Sequence, residues 1–234
     1  MSATSNRIGS ATGFVVQTAD QPYLITNWHV VSGRHPNTNE VLDKSGRVPD
    51  ELRIIHHSSG RLGSWTIRQE ALFHTDGTPR WIEHPRGQTL DVVALPLQSL
   101  DTNVTIHPFD LSLADADVMV RPAMPVSIIG YPLGLSTGGG WPIWKTGHIA
   151  SDPDLDYGGR PAFLIDATTR GGMSGSPVVL RFYGAYQSND GSFNVGRGAT
   201  RFLGVYSSQE VAAEIGCVWR PNVVTEILQR IRTS

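Results

Sequence analysis

Hydrophobic residues along this chain occur in short runs that are separated by turn-forming residues. The runs are rich in Val, Ile, Tyr, Phe and Trp, and clusters of Gly, Pro, Asn and Asp lie between them, a pattern typical of β-strands joined by turns. The predicted strands are GFVVQ (13–17), PYLITN (22–27), ELRIIHH (51–57), SWTIRQEALF (64–73), LDVVALPL (90–97), PVSIIGYP (125–132), HIAS (148–151), PAFLIDA (161–167), SPVVLRF (176–182), RFLGVYSS (201–208) and CVWR (217–220). Many short strands without helices between them predict an all-β sandwich or barrel.

One helix is predicted, over residues 221–234, at the end of the chain. Pro221 suits the first turn of a helix, where its missing N–H costs nothing. The residues that follow place apolar side chains on a single helix face: Val223, Val224, Ile227, Leu228 and Ile231. We expect this face to pack onto the β-sheet body.

Two segments have the composition of loops. Residues 32–51 are polar and rich in turn-forming residues, and residues 134–145 contain three consecutive glycines before two tryptophans. The segment around 101–122 is predicted to connect two halves of similar size. No internal repeat is evident.

Bulk composition excludes several classes of protein. The formal net charge is −2 and no long basic stripe occurs, so the sequence does not predict nucleic-acid binding. No apolar run approaches the roughly 18–20 residues that a membrane helix needs. The first residues lack the basic and apolar regions of a secretory signal. Cys217 is the only cysteine, which excludes an intrachain disulfide, and we therefore expect a cytoplasmic protein.

The segment ATTRGGMSGSPVVL (167–180) surrounds one serine, Ser174, with glycines. Glycine is costly to order, so this run indicates unusual backbone angles or a close approach by another group. A tight turn between strands is one interpretation. The other is a nucleophilic serine whose neighbouring N–H groups point at a substrate oxygen.

Two further residues supply what a nucleophilic serine requires. A serine hydroxyl needs a base to accept its proton and a group that orients this base. His29 follows an apolar stretch in YLITNWHVV, at the end of a predicted strand. Asp91 begins the apolar run DVVALPL, where its carboxylate would be partly buried and would need a partner. Each has an ordinary structural interpretation, and only their combination with Ser174 indicates a catalytic site.

With these three motifs in this order, the chain resembles the chymotrypsin-like serine peptidases, in particular the disulfide-free bacterial kind often called trypsin-like peptidases. The matching segments are LITNWHVV at His29, LDVVALPL at Asp91 and DATTRGGMSGSPVV at Ser174, with further matches in IIGYPLG (128–134), FLGVYSS (202–208) and GCVWRPNVV (216–224). The resemblance covers roughly residues 8–230.

The resemblance implies a single domain over residues 1–234 with two six-stranded antiparallel β-barrels and a C-terminal α-helix. The N-terminal barrel would span about 8–105, and the C-terminal barrel and helix about 106–234. The active site of this fold lies in the cleft between the barrels. His29 and Asp91 would come from the first barrel and Ser174 from the second.

The resemblance also implies a serine endopeptidase that acts on protein or peptide substrates through an acyl-enzyme. Ser174 would be the nucleophile, His29 its general base and Asp91 the group that orients His29. The backbone N–H groups of Gly172 and Ser174 would form the oxyanion hole. We expect no metal and no cofactor.

By motif position, Thr168, Tyr206, Ser207 and Ser208 would form the substrate pocket. None carries a charge, which predicts a small or medium uncharged side chain at P1, the substrate residue before the scissile bond. Arg170 and His148 lie near this pocket by motif position and, unless they face solvent, would instead favour an acidic P1 residue.

Met173 occupies a position at which digestive relatives have an aspartate that pairs with a newly cut N-terminus. Activation is therefore expected not to use that ion pair. The glycine loop Gly138–Gly140 and the segment 32–51 are candidates for control by a regulatory partner, because mobile loops flank the cleft in this family.

Three rival functions remain at the level of sequence. A non-catalytic member of the fold would bind protein and have a latent site. An esterase needs a G-x-S-x-G elbow, whereas Ser176 replaces the last glycine here and the order of the motifs differs. A metallohydrolase using His56, His57, His74 or His84 lacks a supporting motif, and the adjacent His56 and His57 would point to opposite faces of a strand.

Overall fold

The computed structural model describes residues 7–210 and 213–233, and these residues form two β-rich halves with a C-terminal helix. The strands of the N-terminal half are β1 Phe14–Gln17, β2 Pro22–Thr26, β3 Glu51–Ser58, β4 Trp65–Ala71, β5 Ile82–Glu83, β6 Val93–Pro96 and β7 Val104–Thr105. The strands of the C-terminal half are β8 Pro125–Gly130, β9 Ile143–Ile149, β10 Ala162–Asp166, β11 Pro177–Phe182, β12 Ala185–Gln187, β13 Phe193–Val195, β14 Ala199–Glu210 and β15 Ile215–Trp219. The helices are α1 Trp28–Ser32 and α2 Pro221–Thr233, with single 3₁₀ turns at Leu111–Asp115, Pro132–Gly134 and Gly138–Gly140.

The C-terminal half contains a closed antiparallel barrel, in the strand order β10-β15-β14-β11-β8-β9. Its interior is filled by apolar side chains that are removed from water almost completely, among them Ile128, Phe163, Ile165, Leu180 and Val218. A closed barrel has no exposed sheet edge, and its alternating inward residues form a continuous core. The prediction of a six-stranded barrel is confirmed for this half.

The N-terminal half consists of two antiparallel sheets, β1-β2-β6-β5 and β4-β3-β7. They share a core that includes Leu24, Trp28 and Leu95 and is flanked by Leu52 and Ile54. Within the described residues, hydrogen bonding does not join the two sheets into a closed barrel, so the prediction of two closed barrels holds only in part. The edge strands β5 and β7 contain two residues each and offer few backbone groups for closure.

A shared apolar core holds the two halves together. Phe14 and Ile25 from the N-terminal half contact the same cluster as Phe202 and Trp219 from the C-terminal half. Helix α2 inserts its predicted apolar face into this cluster, where Val223, Val224 and Ile227 are fully buried. The predicted helix is therefore confirmed through residue 233, and Ser234 lies outside the described residues.

Several elements differ from the sequence prediction, including the two-residue strands β5 and β7, which were not predicted. Strand β9 begins at Ile143, inside the predicted loop 134–145. Its start was not predicted because its first side chains alternate between partly buried and exposed and form no long apolar run. The hairpin β12–β13 was missed because its strands have three residues each. Helix α1 was missed because five residues cannot establish a helical periodicity.

Within the described ranges, neither helix combines the length and the apolar composition that crossing a membrane requires. Cys217 is a free thiol on β15. Its burial raises the pKa of this thiol to about 11, which keeps it protonated at neutral pH.

Candidate active site

A buried carboxylate orients the imidazole of His29. Asp91 lies two residues before the start of β6 and is only 1% exposed. Its Oδ2 lies 2.7 Å from His29 Nδ1, and its Oδ1 accepts the backbone N–H of His29 at 2.9 Å. An ionised carboxylate in this position fixes the proton on Nδ1, which leaves the Nε2 lone pair of His29 free to accept a proton.

The short helix α1 presents His29 to this carboxylate. Asn27 caps the helix in an extended conformation, and its Nδ2 donates to the backbone carbonyl of Asp91 at 2.6 Å. Gly33 ends the helix with a φ of 65°, and a Cβ there would lie 2.5 Å from Pro49 Cδ, so glycine is required at this position. The helix boundaries therefore fix the place of His29 relative to Asp91.

Ser174 reaches the same site from the C-terminal half, on the loop before β11. Its backbone carbonyl accepts the N–H of Thr12 at 2.8 Å, and the next N–H, from Gly175, donates to Tyr206 O at 2.9 Å. The hydroxyl of Ser174 donates to the backbone carbonyl of Ser207 at 3.2 Å. Among the described residues this carbonyl, and not the imidazole of His29, is the partner of the hydroxyl.

Ser207 connects the serine to the histidine–aspartate pair. Its carbonyl accepts from Ser174, and its hydroxyl donates to Asp91 Oδ2 at 2.5 Å. Ser207 was predicted to belong to the substrate pocket, and its side-chain hydroxyl contacts the buried carboxylate of Asp91. The structure thus brings His29, Asp91 and Ser174 together, with Ser207 in contact with both Asp91 and Ser174.

The N–H groups of Gly172 and Ser174 have no acceptor among the described residues. The peptide that precedes Gly172 is fixed in orientation, because the carbonyl of Gly171 accepts the N–H of Leu133 at 2.6 Å. A peptide N–H points opposite to its carbonyl, so the N–H of Gly172 faces away from Leu133. Two unpaired amides with one residue between them can bind one negatively charged oxygen.

Gly172 requires its glycine for two reasons. Its φ is 98°, a region that other L-residues rarely adopt, and a Cβ there would lie 2.3 Å from Tyr131 O. Gly175 has the same character, with a φ of 85° and a would-be Cβ 2.1 Å from Thr12 O. The glycines around Ser174 therefore allow the serine loop to pack against the backbone of both halves.

Thr12 is a site residue that sequence reasoning missed. In addition to its N–H bond to Ser174, its buried hydroxyl donates to Gly172 O at 2.7 Å and accepts the N–H of Tyr131 at 3.0 Å. Thr12 therefore donates hydrogen bonds to the carbonyls of Gly172 and Ser174, the residues on either side of Met173. In the sequence Thr12 lies just before β1, between the small residues Ala11 and Gly13, and this position does not indicate a hydrogen-bond partner 160 residues away.

The predicted pocket residues lie in different surroundings. Thr168 is exposed and donates to Glu214 Oε2 at 3.3 Å. Tyr206 is buried, with its hydroxyl hydrogen-bonded to Thr169 Oγ1. Ser208 lies on β14, and its side chain lies outside the described part of the chain.

The two residues considered for an acidic P1 preference are both exposed. Arg170 donates to the neighbouring carbonyl of Thr169 at 2.9 Å, and His148 lies on the outer side of β9. Met173 is completely buried in the C-terminal core. Because methionine has no carboxylate, this position cannot form an ion pair with a free N-terminus.

The other histidines do not gather into a metal site in the part of the chain that the structure describes. His56 is buried, whereas the adjacent His57 packs on Trp141 with ring centroids 4.1 Å apart, so the two point to opposite faces of β3. His84 lies elsewhere, with its Nε2 2.8 Å from Glu226 Oε2.

Two β-rich halves with a histidine, a buried aspartate and a glycine-flanked serine gathered where they meet have the architecture of the chymotrypsin-like serine peptidases. The family model described as the trypsin-like peptidase domain matches residues 11–184, and the chain belongs to this family. Its single cysteine agrees with the disulfide-free kind.

Solved structures agree with this assignment at the level of the fold. The MamO protease domain of Magnetospirillum magneticum is 19% identical, with a TM-score of 0.50, and the match covers 94% of this chain and 89% of that one. The thermostable serine protease AL20, from an extremophilic microorganism, is 13% identical with a TM-score of 0.50, covering 96% and 90%. No curated protein matches the chain.

Proposed function

We propose that this protein is a serine endopeptidase with the triad Ser174, His29 and Asp91. The observation that carries the proposal is the buried Asp91–His29 pair together with Ser174, whose own N–H and that of Gly172 have no acceptor among the described residues. A general base with a fixed tautomer and a preformed anion site are what acyl transfer from a peptide bond requires.

In the proposed reaction, Ser174 Oγ attacks the carbonyl carbon of the scissile peptide bond while His29 Nε2 takes the hydroxyl proton. The tetrahedral intermediate then breaks its C–N bond, and His29 gives the proton to the leaving amine. Water next loses a proton to His29 and attacks the acyl-enzyme ester. The ester C–O bond breaks, and the proton returns to Ser174. Asp91 stays ionised and stabilises the imidazolium at each stage.

The N–H groups of Gly172 and Ser174 stabilise the oxyanion of both tetrahedral intermediates. Such donors act in a site from which water is excluded, and the loss of one typically costs on the order of 10² to 10³ in rate. The bond from Leu133 to Gly171 supports this role, because it fixes the orientation of the peptide and directs the Gly172 N–H away from Leu133.

A latent, protein-binding member of the fold is the alternative function. The hydroxyl of Ser174 contacts Ser207 O and not His29, which is compatible with a site that substrate completes. However, hydrogen bonds of catalytic groups are often long or differently aligned before substrate binds. The fixed Gly171 peptide favours an oxyanion hole that is already formed, and we therefore favour the peptidase.

The proposed substrates are proteins or peptides that bind in an extended form, with no metal or cofactor in the reaction. A cytoplasmic location and control by a partner through the segments 32–51 or Gly138–Gly140 also remain proposals. The Gly138–Gly140 turn is linked to the site, since Tyr131 Oη donates to Gly140 O at 3.0 Å and Tyr131 N binds Thr12.

Hydrolysis of a denatured protein substrate tests the function directly. The purified protein is incubated with reduced, alkylated casein, and mass spectrometry identifies the new peptide termini. We expect new internal termini that appear with the wild type and are absent with Ser174→Ala. Equal cleavage by both proteins would contradict the proposal, as would no cleavage of casein or of a random peptide library.

Substitution of Gly172 tests the oxyanion hole. We expect Gly172→Ala to lower kcat by at least 10² to 10³, about the loss of one oxyanion donor, because the added Cβ clashes with Tyr131 O and the residue leaves its φ of 98°. Gly171→Ala is the matched control: a Cβ there meets nothing within 4 Å, so it should lose far less activity. Equal losses for the two variants, with both folded by circular dichroism, would count against this role.

A further inference from the structure

The P1 side chain of a substrate has a defined place in this site. Once its carbonyl oxygen binds the amides of Gly172 and Ser174, the side chain must enter between the two segments that flank the serine. One segment contains Thr168 and Thr169, and the other is β14 at Tyr206 and Ser207. What occupies the space between them decides which side chains fit. This inference rests on the proposed peptidase function.

The side chain of Tyr206 fills this space from inside. Its hydroxyl is hydrogen-bonded to Thr169 Oγ1, so one phenol side chain bridges the two segments. A ring that lined an open pocket would be exposed to water, yet Tyr206 is 3% exposed and Thr169 is 1% exposed. The burial also raises the pKa of the Tyr206 hydroxyl, which keeps this hydroxyl neutral.

Gly216, on the neighbouring strand β15, lies directly beneath the ring. A Cβ at Gly216 would be 2.6 Å from Tyr206 Cε2 and 3.2 Å from Ile165 Cγ1. The absence of a side chain at Gly216 therefore makes room for the phenol ring and not for a substrate side chain. The ring packs in the same cluster as Met173, the residue before the nucleophile.

The charged side chains next to these two segments, Arg170 and Glu214, are both exposed at the surface. Glu214, the carboxylate bonded to Thr168, belongs to an exposed pair at the surface. A buried salt bridge to an Arg or Lys at P1 would require a carboxylate within the pocket. The buried side chains at this place, Tyr206 and Thr169, are an aromatic ring with a hydroxyl and a small hydroxyl side chain, and neither carries a carboxylate.

We propose that Tyr206, braced by Thr169, closes the specificity pocket and restricts P1 to small uncharged residues, namely Gly, Ala and Ser. A closely packed site rejects added methylene groups because neither the substrate nor the ring can move aside without strain. Tyr206 is thus a specificity-determining residue, and Gly216 is the position that permits its ring to lie there.

Inactivation by peptidyl phosphonate diphenyl esters that differ only at P1 tests this proposal on the wild-type protein. We expect the Ala ester to inactivate at least about 10 to 100 times faster than the Phe or Arg ester, the discrimination typical of a few methylene groups in a tight site. A small alkyl fluorophosphonate without a P1 side chain is the reference, and it should label Ser174 in the same preparation.

Two substitutions locate the cause of the selectivity. Tyr206→Val removes the ring and should raise the Phe-to-Ala rate ratio by about tenfold or more. Tyr206→Phe keeps the ring and removes only the hydroxyl, so it should keep a rate ratio close to that of the wild type. Rates are normalised to fluorophosphonate labelling, which corrects for any misfolded fraction. If Tyr206→Val does not fold, the P1 preference of the wild-type protein alone tests the proposal.

The outcomes separate the two proposals. Labelling by the fluorophosphonate together with a preference for Phe, Leu, Arg or Lys esters overturns the closed pocket and leaves the peptidase function in place. A ratio that is unchanged in folded Tyr206→Val also overturns it. Failure of the fluorophosphonate to label the folded wild type overturns the peptidase function, and the inference about P1 with it.

Discussion

Replacing Ser174 with alanine is expected to lower kcat by about 10⁶-fold, the size of loss that follows removal of the nucleophile from such a triad. In the proposed mechanism the hydroxyl oxygen forms the acyl-enzyme bond, so its removal eliminates the covalent intermediate. The measurement is the initial rate of hydrolysis of a peptide with Ala at P1. Protein stability should change little, because the hydroxyl makes a single 3.2 Å hydrogen bond to Ser207.

Ser176→Ala is the matched control for this substitution. Ser176 lies two residues further along the same loop, is fully buried, and its hydroxyl has no hydrogen-bond partner among the residues that the structure describes. Removing such a hydroxyl leaves no other group unpaired and should be nearly neutral. If Ser174→Ala retained a tenth of the wild-type activity while Ser176→Ala matched it, Ser174 would not be the nucleophile.

The second large effect is expected for Asp91→Asn, which should lower kcat by about 10⁴-fold, the loss typical of an amide in place of the orienting carboxylate. The carboxylate accepts three hydrogen bonds, from the N–H and Nδ1 of His29 and from Ser207 Oγ. An amide has one oxygen and cannot accept all three. The imidazole then loses its fixed tautomer, and Nε2 carries the proton instead of accepting one.

Steady-state kinetics on Asp91→Asn checks this, with thermal unfolding as the measure of folding. The control is Asp101→Asn, which removes an exposed carboxylate that pairs with Arg68 at 2.7 Å in the same half of the molecule. An exposed pair of this kind contributes little, so kcat should stay close to wild type. A kcat for folded Asp91→Asn within tenfold of the wild type would show that His29 does not depend on Asp91.

The strands that carry the site could be predicted from sequence because their apolar runs are bounded by clear turn residues. The runs DVVALPL and SPVVLRF predicted strands β6 and β11, and the predicted ends lie within three residues of the observed ends. The motif resemblance then identified His29, Asp91 and Ser174. Local sequence also predicted helix α2, since its apolar face repeats with the period of a helix.

The parts that could not be predicted depend on contacts between residues distant in sequence. Thr12 binds the serine loop through a contact that spans 160 residues, and nothing in its neighbourhood indicates this. The direction of the Tyr206 ring depends on the space at Gly216 and on Thr169. Likewise, the placement of Ser207 on Asp91 follows from how β14 packs on the N-terminal half.

Labelling with an alkyl fluorophosphonate tests the central claim most directly, because it asks whether Ser174 is an activated nucleophile in this chain alone. Wild type, Ser174→Ala and His29→Ala are treated in parallel, and mass spectrometry locates the adduct. We expect rapid labelling of the wild type on Ser174 and none in Ser174→Ala. Labelling of His29→Ala should be slower by several orders of magnitude. A folded wild type that does not react, or reacts at another residue, would contradict the account.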